Sequence, residues 1–435
     1  MILATVACAA LLLMLMTRVP LGFTLTLCGI GGIAAVHPRG LPAALAIAEQ
    51  QYIDLAFNFQ FSALALFLTM GVFVVRAGLA DDLFDMSQRC FGHWRGGLAV
   101  AAVVTSAAFA SICGSSTAAT STMASVAVPA MRRFNYGLQF STGTVAAGGT
   151  LGILVPPSSA LIIYGLLTET SINRLFMAAL VPAAIQVVAY TIVIAVVTRI
   201  WPDWAPTTGR SSWIERWRAL GRVWSVLALF ILIIGGLFTG RFTTTEAGGI
   251  GAGGAIVVAA LRGRLSRRTF MDSLASSART IGIIYSVAAG TMVLSQFVNL
   301  DGAPAATLEF IQRLQLAPLA VIGMILLFYV VLGFFVDGYA MLFLTVPIVC
   351  PLVASLGMDL VWWGIVVIIT VVMAMISHPF GLNICIMKAF VPEASLMTVF
   401  RGVVPYLIAD FARLALVVLV PASVTLIAPL FHGPG

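Results

Sequence analysis

Between Arg174 and Arg199 the chain carries no charged side chain; Leu, Val, Ile, Ala, Phe and Met are relieved only by Pro182, Gln186, Tyr190 and two threonines. A stretch of that length fits the hydrocarbon core of a bilayer, which takes about 20 apolar residues in a helix. Comparable runs follow one another along most of the 435 residues, joined by short polar connections. Lipid cannot hydrogen-bond a bare backbone, so such a chain must fold as helices that satisfy their own N–H and C=O groups. Hydrophobic residues make up 61% of the chain and charged residues 9%, with mean hydropathy +1.08. Soluble domains carry about 25% charged residues. We read one polytopic, all-α membrane unit lying in a lipid bilayer.

The net charge of +7 reflects arginines gathered on loops rather than a basic face, which argues against nucleic acid as a partner. The six cysteines, at 8, 28, 90, 113, 350 and 385, lie mostly inside apolar runs and have no metal-ligand spacing, so neither disulfides nor a metal cluster is expected. Residues 2–16 are apolar with Arg18 after the run. A cleaved signal peptide has its basic residue before it, so this reads as a retained first helix.

Taken in order, the next spans are 21–36 and about 56–75, followed by an amphipathic arm at 81–94. Residues 97–111 and 118–131 flank Gly114-Ser115-Ser116. Each is roughly 22 Å long as a helix, short of the ~30 Å core, so a re-entrant hairpin is expected. Residues 139–152 form a half-helix stopped by Pro156-Pro157, since two residues without N–H end any helix that reaches them. It resumes at 159–167, and 171–198 spans. A basic, Trp-rich stretch at 199–224 reads as a linker on the cytoplasmic interface. The order then repeats. Spans at 225–239, 243–261 and 279–298 precede an arm at 304–316. A hairpin follows at 318–353, turning at Asp337-Gly338. A half-helix at 360–376 breaks at Ser377-His378-Pro379-Phe380-Gly381, and a last span covers 396–426. The chain thus divides into a first repeat (1–198), the linker (199–224) and a second repeat (225–435).

If hairpins do not cross, each half crosses five times. Five is odd, so the halves are inverted relative to each other. With the N-terminus outside, all Lys and Arg fall on the cytoplasmic side except Arg39, Arg174, Arg241, Arg313 and Arg413, which sits in the last span. The positive-inside rule selects that orientation and puts both termini outside.

Non-helical backbone at membrane depth is tolerated only where it is buried in protein or lines a cavity, and transporters place ions and substrate there. Helix C-terminal carbonyls suit Na⁺ and N-terminal N–H groups suit a carboxylate. Hydroxyls at Ser115, Ser116, Thr117, Ser158 and Ser159 add neutral ligands. Small residues at 111–119 would also permit close packing alone, but both breaks are clustered and both recur. Asp337 is a carboxylate at a hairpin tip, able to join a cation site, take a proton or receive a substrate hydroxyl, or to cap the hairpin. Glu246, after three threonines, suits a helix N-terminus. His378 is a proton site or a structural hydrogen-bonding group, and Lys388 snorkels. There is no His-Glu-x-x-His, no Gly-x-Ser-x-Gly and no phosphate-binding Gly-Lys loop, so no enzyme is expected. Transport must then be driven by a gradient or by another chain.

Gly114-Ser115-Ser116-Thr117-Ala118, Pro129-Ala130-Met131 and Gly148-Gly149-Thr150-Leu151-Gly152-Ile153-Leu154-Val155-Pro156-Pro157-Ser158 resemble the large membrane subunit of TRAP (tripartite ATP-independent periplasmic) transporters. Gly236-Leu237-Phe238-Thr239 through Thr244-Thr245-Glu246-Ala247 is similar to another of that family's stretches, and the likeness covers nearly the whole chain. It implies an elevator-type, Na⁺-coupled importer of organic acids in the bacterial inner membrane. It also implies a small four-helix membrane subunit and a periplasmic substrate-binding protein as partners. One Na⁺ would lie among Ser111, Gly114, Ser115, Gly152, Leu154 and Pro156. Another would lie among Gly338, Ser377, Pro379 and Gly381, beside Asp337. Ser115, Ser116, Ser158 and Asp337 would approach the carboxylate substrate. The Ser-His-Pro-Phe-Gly break departs from the family's usual Thr-Pro-Pro-x-Gly, and Gly240-Arg241-Phe242 interrupts its Thr-Pro-Thr-Glu run. The alternative is a stand-alone ion-coupled carrier or cation/proton antiporter of related fold.

Overall fold

The structure is a computed structural model that describes residues 19–303, 306, 309, 313, 316–333, 336, 338–377 and 381–425. The expected first helix (2–16) and most of the second arm (304–316) lie outside the described residues.

Four helices open the described chain: α1 (Leu21–Val36), α2 (Leu41–Phe57), α3 (Gln60–Arg76) and the arm α4 (Leu79–Phe91). Helices α5 (Gly97–Cys113) and α6 (Ser116–Arg133) form the first hairpin. Helix α7 (Leu138–Gly149), the single turn α8 (Leu151–Leu154) and α9 (Ser159–Thr168) are pieces of one interrupted helix, and α10 (Ile172–Ile200) follows it. The second half holds α11 (Trp213–Phe238), α12 (Thr244–Leu261), α13 (Arg267–Leu300), α14 (Pro318–Leu332), α15 (Gly338–Ser355), α16 (Leu360–Ala374), α17 (Leu382–Phe390), α18 (Leu396–Leu419) and a final turn, α19 (Ala422–Thr425). Among the described residues, seven helical stretches are long and apolar enough to cross a membrane, or up to eight if the bent pair α2 and α3 counts as one.

Most of the expected boundaries hold within a few residues. The arm α4 buries Leu79, Ala80, Leu83, Phe84 and Ser87. Its other face carries the Asp85–Arg89 ion pair at 3.0 Å. Three differences stand out. Helix α13 begins at Arg267, well before the span expected from 279, because Ser266 caps it by accepting the Thr269 N–H at 3.1 Å. Helix α2 runs on to Phe57 and meets α3 at a 60° bend, where the Asn58 Oδ1 accepts the Gln60 N–H at 3.0 Å. Helix α11 begins at Trp213, well before the expected end of the linker, because Ser212 and Glu215 form a reciprocal capping box that supplies a helix start. Glu246 does the same work at the start of α12 with Thr243, as its position suggested.

Burial separates enclosed elements from peripheral ones. In α5, 14 of the 17 residues are buried, and in α16 every residue from Val361 to Ala374 is buried. A helix buried all round is surrounded by protein, not lipid. By contrast α10, α11 and α12 each leave an apolar face outward, with Val188, Ile192, Ile231 and Val257 exposed.

The packing is reciprocal. Helix α1 packs on α13, and α12 packs on α3. Helix α17 packs on α6, and α9 packs on α15. Helix α18 packs on α7, and α10 packs on α16. The second span of each half thus lies on the third of the other, and each resumed half-helix lies on the other half's hairpin. Glycines set the closest crossings. An added Cβ at Gly29 would come within 2.8 Å of the Leu294 backbone, and one at Gly143 within 2.2 Å of the Gly402 backbone.

Candidate functional site

The first hairpin turns where α5 stops at Gly114, whose φ of +59° is a left-handed conformation suited to glycine. Ser115 then caps α6, its Oγ accepting the Ala118 N–H at 3.4 Å. The first break repeats the arrangement. Helix α8 ends at Leu154, and Ser158 caps α9, accepting the Leu161 N–H at 3.4 Å while donating to the Ile153 carbonyl. Two helix C-termini and two N-termini therefore meet. The former present carbonyls without intrahelical donors and the latter free N–H groups, carrying partial negative and partial positive charge.

The two turns touch through backbone. A Cβ on Gly152 would lie 2.7 Å from the Ser115 carbonyl oxygen, and one on Gly114 would lie 3.1 Å from that of Pro157. Ser159 bridges them, donating to the Gly114 carbonyl at 2.5 Å. Ser111 donates to the Ala108 carbonyl at 2.7 Å, and Leu154, Pro156 and Ser158 are all buried. The expected residues Ser111, Gly114, Ser115, Ser116, Gly152, Leu154, Pro156 and Ser158 thus lie on two turns packed together.

In the second half, Gly338 sits against Val371 and Met375 at the end of α16. A Cβ on Gly381 would come within 2.9 Å of the Met375 carbonyl oxygen and 2.7 Å of that of Ser377. Ser377 itself donates to the Ala374 carbonyl at 3.0 Å. Asp337, His378 and Pro379 lie outside the described residues.

Two side chains that the sequence reading did not single out join the halves. Asn383 donates to Ser116 Oγ at 2.9 Å and to the Ala146 carbonyl at 3.2 Å, tying the second broken helix to the first hairpin and the first broken helix. The Tyr339 hydroxyl lies 2.6 Å from Ser159 Oγ, tying the second hairpin to the first break. The one available signal for Asn383 was an amide at the start of a half-helix whose other residues, Lys388 near its end apart, are apolar, a placement expensive enough in a membrane to imply a partner.

Two cavities are lined in part by α3. One, of about 430 Å³, is lined by Val75 and Arg76 of α3, Asp81 of α4, Thr122 and Ser125 of α6, and Arg264. The other, of about 490 Å³, lies between Asn58, Gln60 and Gln296 on one side and Leu166, Glu169 and Pro347 on the other. Both sit where α3 and its neighbours meet the hairpins or broken helices.

A sequence model of the family described as the tripartite ATP-independent periplasmic transporter, DctM component, matches residues 8–423. The chain belongs to this family. It is a TRAP transporter large permease, a multi-pass membrane protein and not an enzyme. The large permease protein DctM of the Pseudomonas aeruginosa C4-dicarboxylate TRAP transporter is 33% identical over 378 residues, covering 85% of this chain and 86% of that one. SiaM, from the Vibrio cholerae sialic acid TRAP transporter, is 27% identical over 423 residues and 97% of each chain. YiaN, from the Escherichia coli 2,3-diketo-L-gulonate TRAP transporter, is 27% identical over 419 residues, covering 92% of this chain and 97% of that one. The crystal structure of the Alcanivorax borkumensis YdaH transporter superposes with a TM-score of 0.60 over 89% of this chain and 90% of that one at 15% identity. The polytopic all-α fold of the TRAP permease is shared at that level.

Proposed function

We propose that this permease imports an organic acid together with Na⁺ across the bacterial inner membrane, moving its hairpins and broken helices as one unit past a fixed frame. The observation that carries the reading is the backbone contact between Ser115 and Gly152, which sets helix C-termini and N-termini of two breaks side by side. Carbonyls of Ser111, Gly114, Ser115, Gly152, Leu154 and Pro156 offer neutral oxygens suited to Na⁺, and the Ser115 and Ser158 N-caps suit a carboxylate. Gly338, Ser377 and Gly381 would form the matching set in the second half, with Asp337 and Pro379 as the further members that the family resemblance implies. Ser116 would reach substrate only by exchanging its bond to Asn383.

The reciprocal packing of the two halves supports an inverted repeat, and the arginine distribution supports periplasmic termini. The fixed frame is then α1–α3 and α11–α13, and the cavities at Thr122 and at Gln296 are its cytoplasmic and periplasmic crevices. Gly71 on α3 approaches the Cys113 carbonyl so closely that a Cβ would lie 2.5 Å from it, as a smooth sliding face requires. The names of the relatives, which cover C4-dicarboxylates, sialic acid and a keto sugar acid, support a carboxylate as cargo. They likewise support a periplasmic binding protein and a small membrane subunit as partners.

The test is uptake into proteoliposomes holding this chain and its small partner. An inward Na⁺ gradient is applied against labelled organic acids, with and without the binding protein. Uptake that needs both establishes the reading. Uptake that needs Na⁺ alone makes this a stand-alone carrier, and uptake driven only by a pH gradient overturns Na⁺ coupling.

A further inference from the structure

Asp410 and Arg413 lie one turn apart on the spanning helix α18. Both side chains are about 1% exposed, and Nη2 stands 2.9 Å from Oδ1. A buried ion pair of this kind is poor evidence for stability, because desolvation offsets much of its attraction. At membrane depth an ionisable pair points to a role.

Its bonds lead to the first break. The Tyr190 hydroxyl on α10 donates to Asp410 Oδ2 at 2.7 Å. Gln186 Nε2 donates to the Tyr190 hydroxyl at 3.0 Å and to Thr150 Oγ1 at 3.0 Å. Thr150 Oγ1 donates to the Ala147 carbonyl at 2.6 Å. Thr150 is the corner residue between α7 and α8. Helix α8 is one turn long, so the corner sets where its carbonyls and Gly152 stand. The end of α7 is also held from α17, where its Ala146 carbonyl accepts Asn383.

Among the described residues, Gln186 Oε1 and all three Arg413 guanidinium nitrogens are buried without a hydrogen-bond partner, Nη2 being held to Asp410 as an ion pair. A network serving stability alone would leave few such atoms. This one has bonds left to make when the corner shifts.

We infer that Thr150, Gln186, Tyr190, Asp410 and Arg413 form a positioning relay that holds the α7–α8 corner in register for ion binding at the first break. The inference rests on the reading of that break as a Na⁺ site. None of the five touches the ion; they act through the backbone of residues 151–154.

The experiment uses the assembled transporter with its partners. Tyr190→Phe and Thr150→Val each remove one hydroxyl at nearly constant shape. Thr144→Val is the control: it breaks the 2.7 Å bond between Thr144 and Tyr406, which joins α7 to α18 without involving Thr150. Two quantities are read, the Na⁺ concentration for half-maximal uptake and the amide hydrogen exchange of residues 151–155. Each relay variant is expected to raise the Na⁺ half-saturation about fivefold while maximal rate stays within about twofold, and the double variant is expected to be no worse than either single. Exchange at 151–155 should quicken in both relay variants and not in the control. Unchanged half-saturation with unchanged exchange overturns the relay, as does an effect equal in the control or additive in the double variant. Should wild-type uptake prove indifferent to Na⁺, the coupling reading fails by itself. Exchange then decides only whether the five residues hold the corner: quickened at 151–155 the positioning stands without an ion-binding role, unchanged it falls.

Discussion

Gly152 and Gly253 show how differently two glycines behave in one chain. A Cβ on Gly152 meets the Ser115 backbone at 2.7 Å, whereas one on Gly253 meets nothing within 4 Å. Gly152→Ala must push two turns apart and should destabilise by about 1–3 kcal/mol, abolishing uptake. Gly253→Ala only restores helix propensity and should be neutral or stabilising by up to about 1 kcal/mol. Thermal unfolding in detergent with parallel uptake assays separates the two. Asn383→Leu removes the partner of Ser116 and of the Ala146 carbonyl, and a stranded buried polar group costs about 1–3 kcal/mol. A smaller loss than for Asn383→Leu is expected from Asn383→Ser, which keeps a donor. At this scale the sequence was readable where chemistry is local. Gly114, Ser115, Gly152 and Ser158 stand out because a turn and two N-caps announce themselves within a few residues. Asn383 and Tyr339 did not, since their partners lie 267 and 180 positions away. Arg413 was visible as a charge in the last span, but Tyr190 and Gln186, which bond onward from its partner Asp410, are on another helix.

Elements were legible by length and by punctuation. The hairpin of α5 and α6 followed from two runs too short to cross on either side of Gly114, and the break before α9 from Pro156-Pro157. The start of α11 was missed because tryptophans and arginines drew attention to an interfacial composition, while Ser212 and Glu215, spaced as a capping box, carry the helix start. Ser212→Ala tests which signal matters. It should cost about 1 kcal/mol locally and quicken amide exchange at residues 213–216, with uptake retained because Trp213 and Trp217 are exposed and far in sequence from the breaks. Retained protection at those amides would mean that tertiary contacts, not the cap, hold the first turn. The 60° bend between α2 and α3 had a weaker signal. Asn58 reads as a turn residue, but nothing in a single sequence states that α13, its counterpart, runs as one 34-residue helix.

For the whole molecule, the packing among the described residues is reciprocal between the two halves of the chain in a way the sequence could only suggest. Reciprocity has a mechanical consequence. In the elevator reading, α3 and α13 are rails, and the enclosed α5, α7 and α16 travel as cargo carriers. Every contact between the two groups must then break and re-form in each cycle, so those contacts should be reached across crevices rather than locked by dense polar bonding. Val75 on α3 and Thr122 on α6 both line one such crevice of about 430 Å³. Cysteines placed at both positions and joined by a short bifunctional thiol reagent should hold the carrier at one end of its travel. Uptake should fall to background with the reagent and return when a cleavable version of the link is reduced, while either single cysteine with reagent keeps transporting. Cys28, Cys113 and Cys350 are buried, Cys90 is half-buried and Cys385 is exposed, so Cys8, Cys90 and Cys385 are first replaced by Ser in every variant. Full transport with the link in place would mean that α3 and α6 move together, and the fixed frame would have to be redrawn to exclude α3. A link that forms only in the presence of Na⁺ would instead tie the position of the carrier to the cation, which is the coupling that the proposed Na⁺-driven import requires.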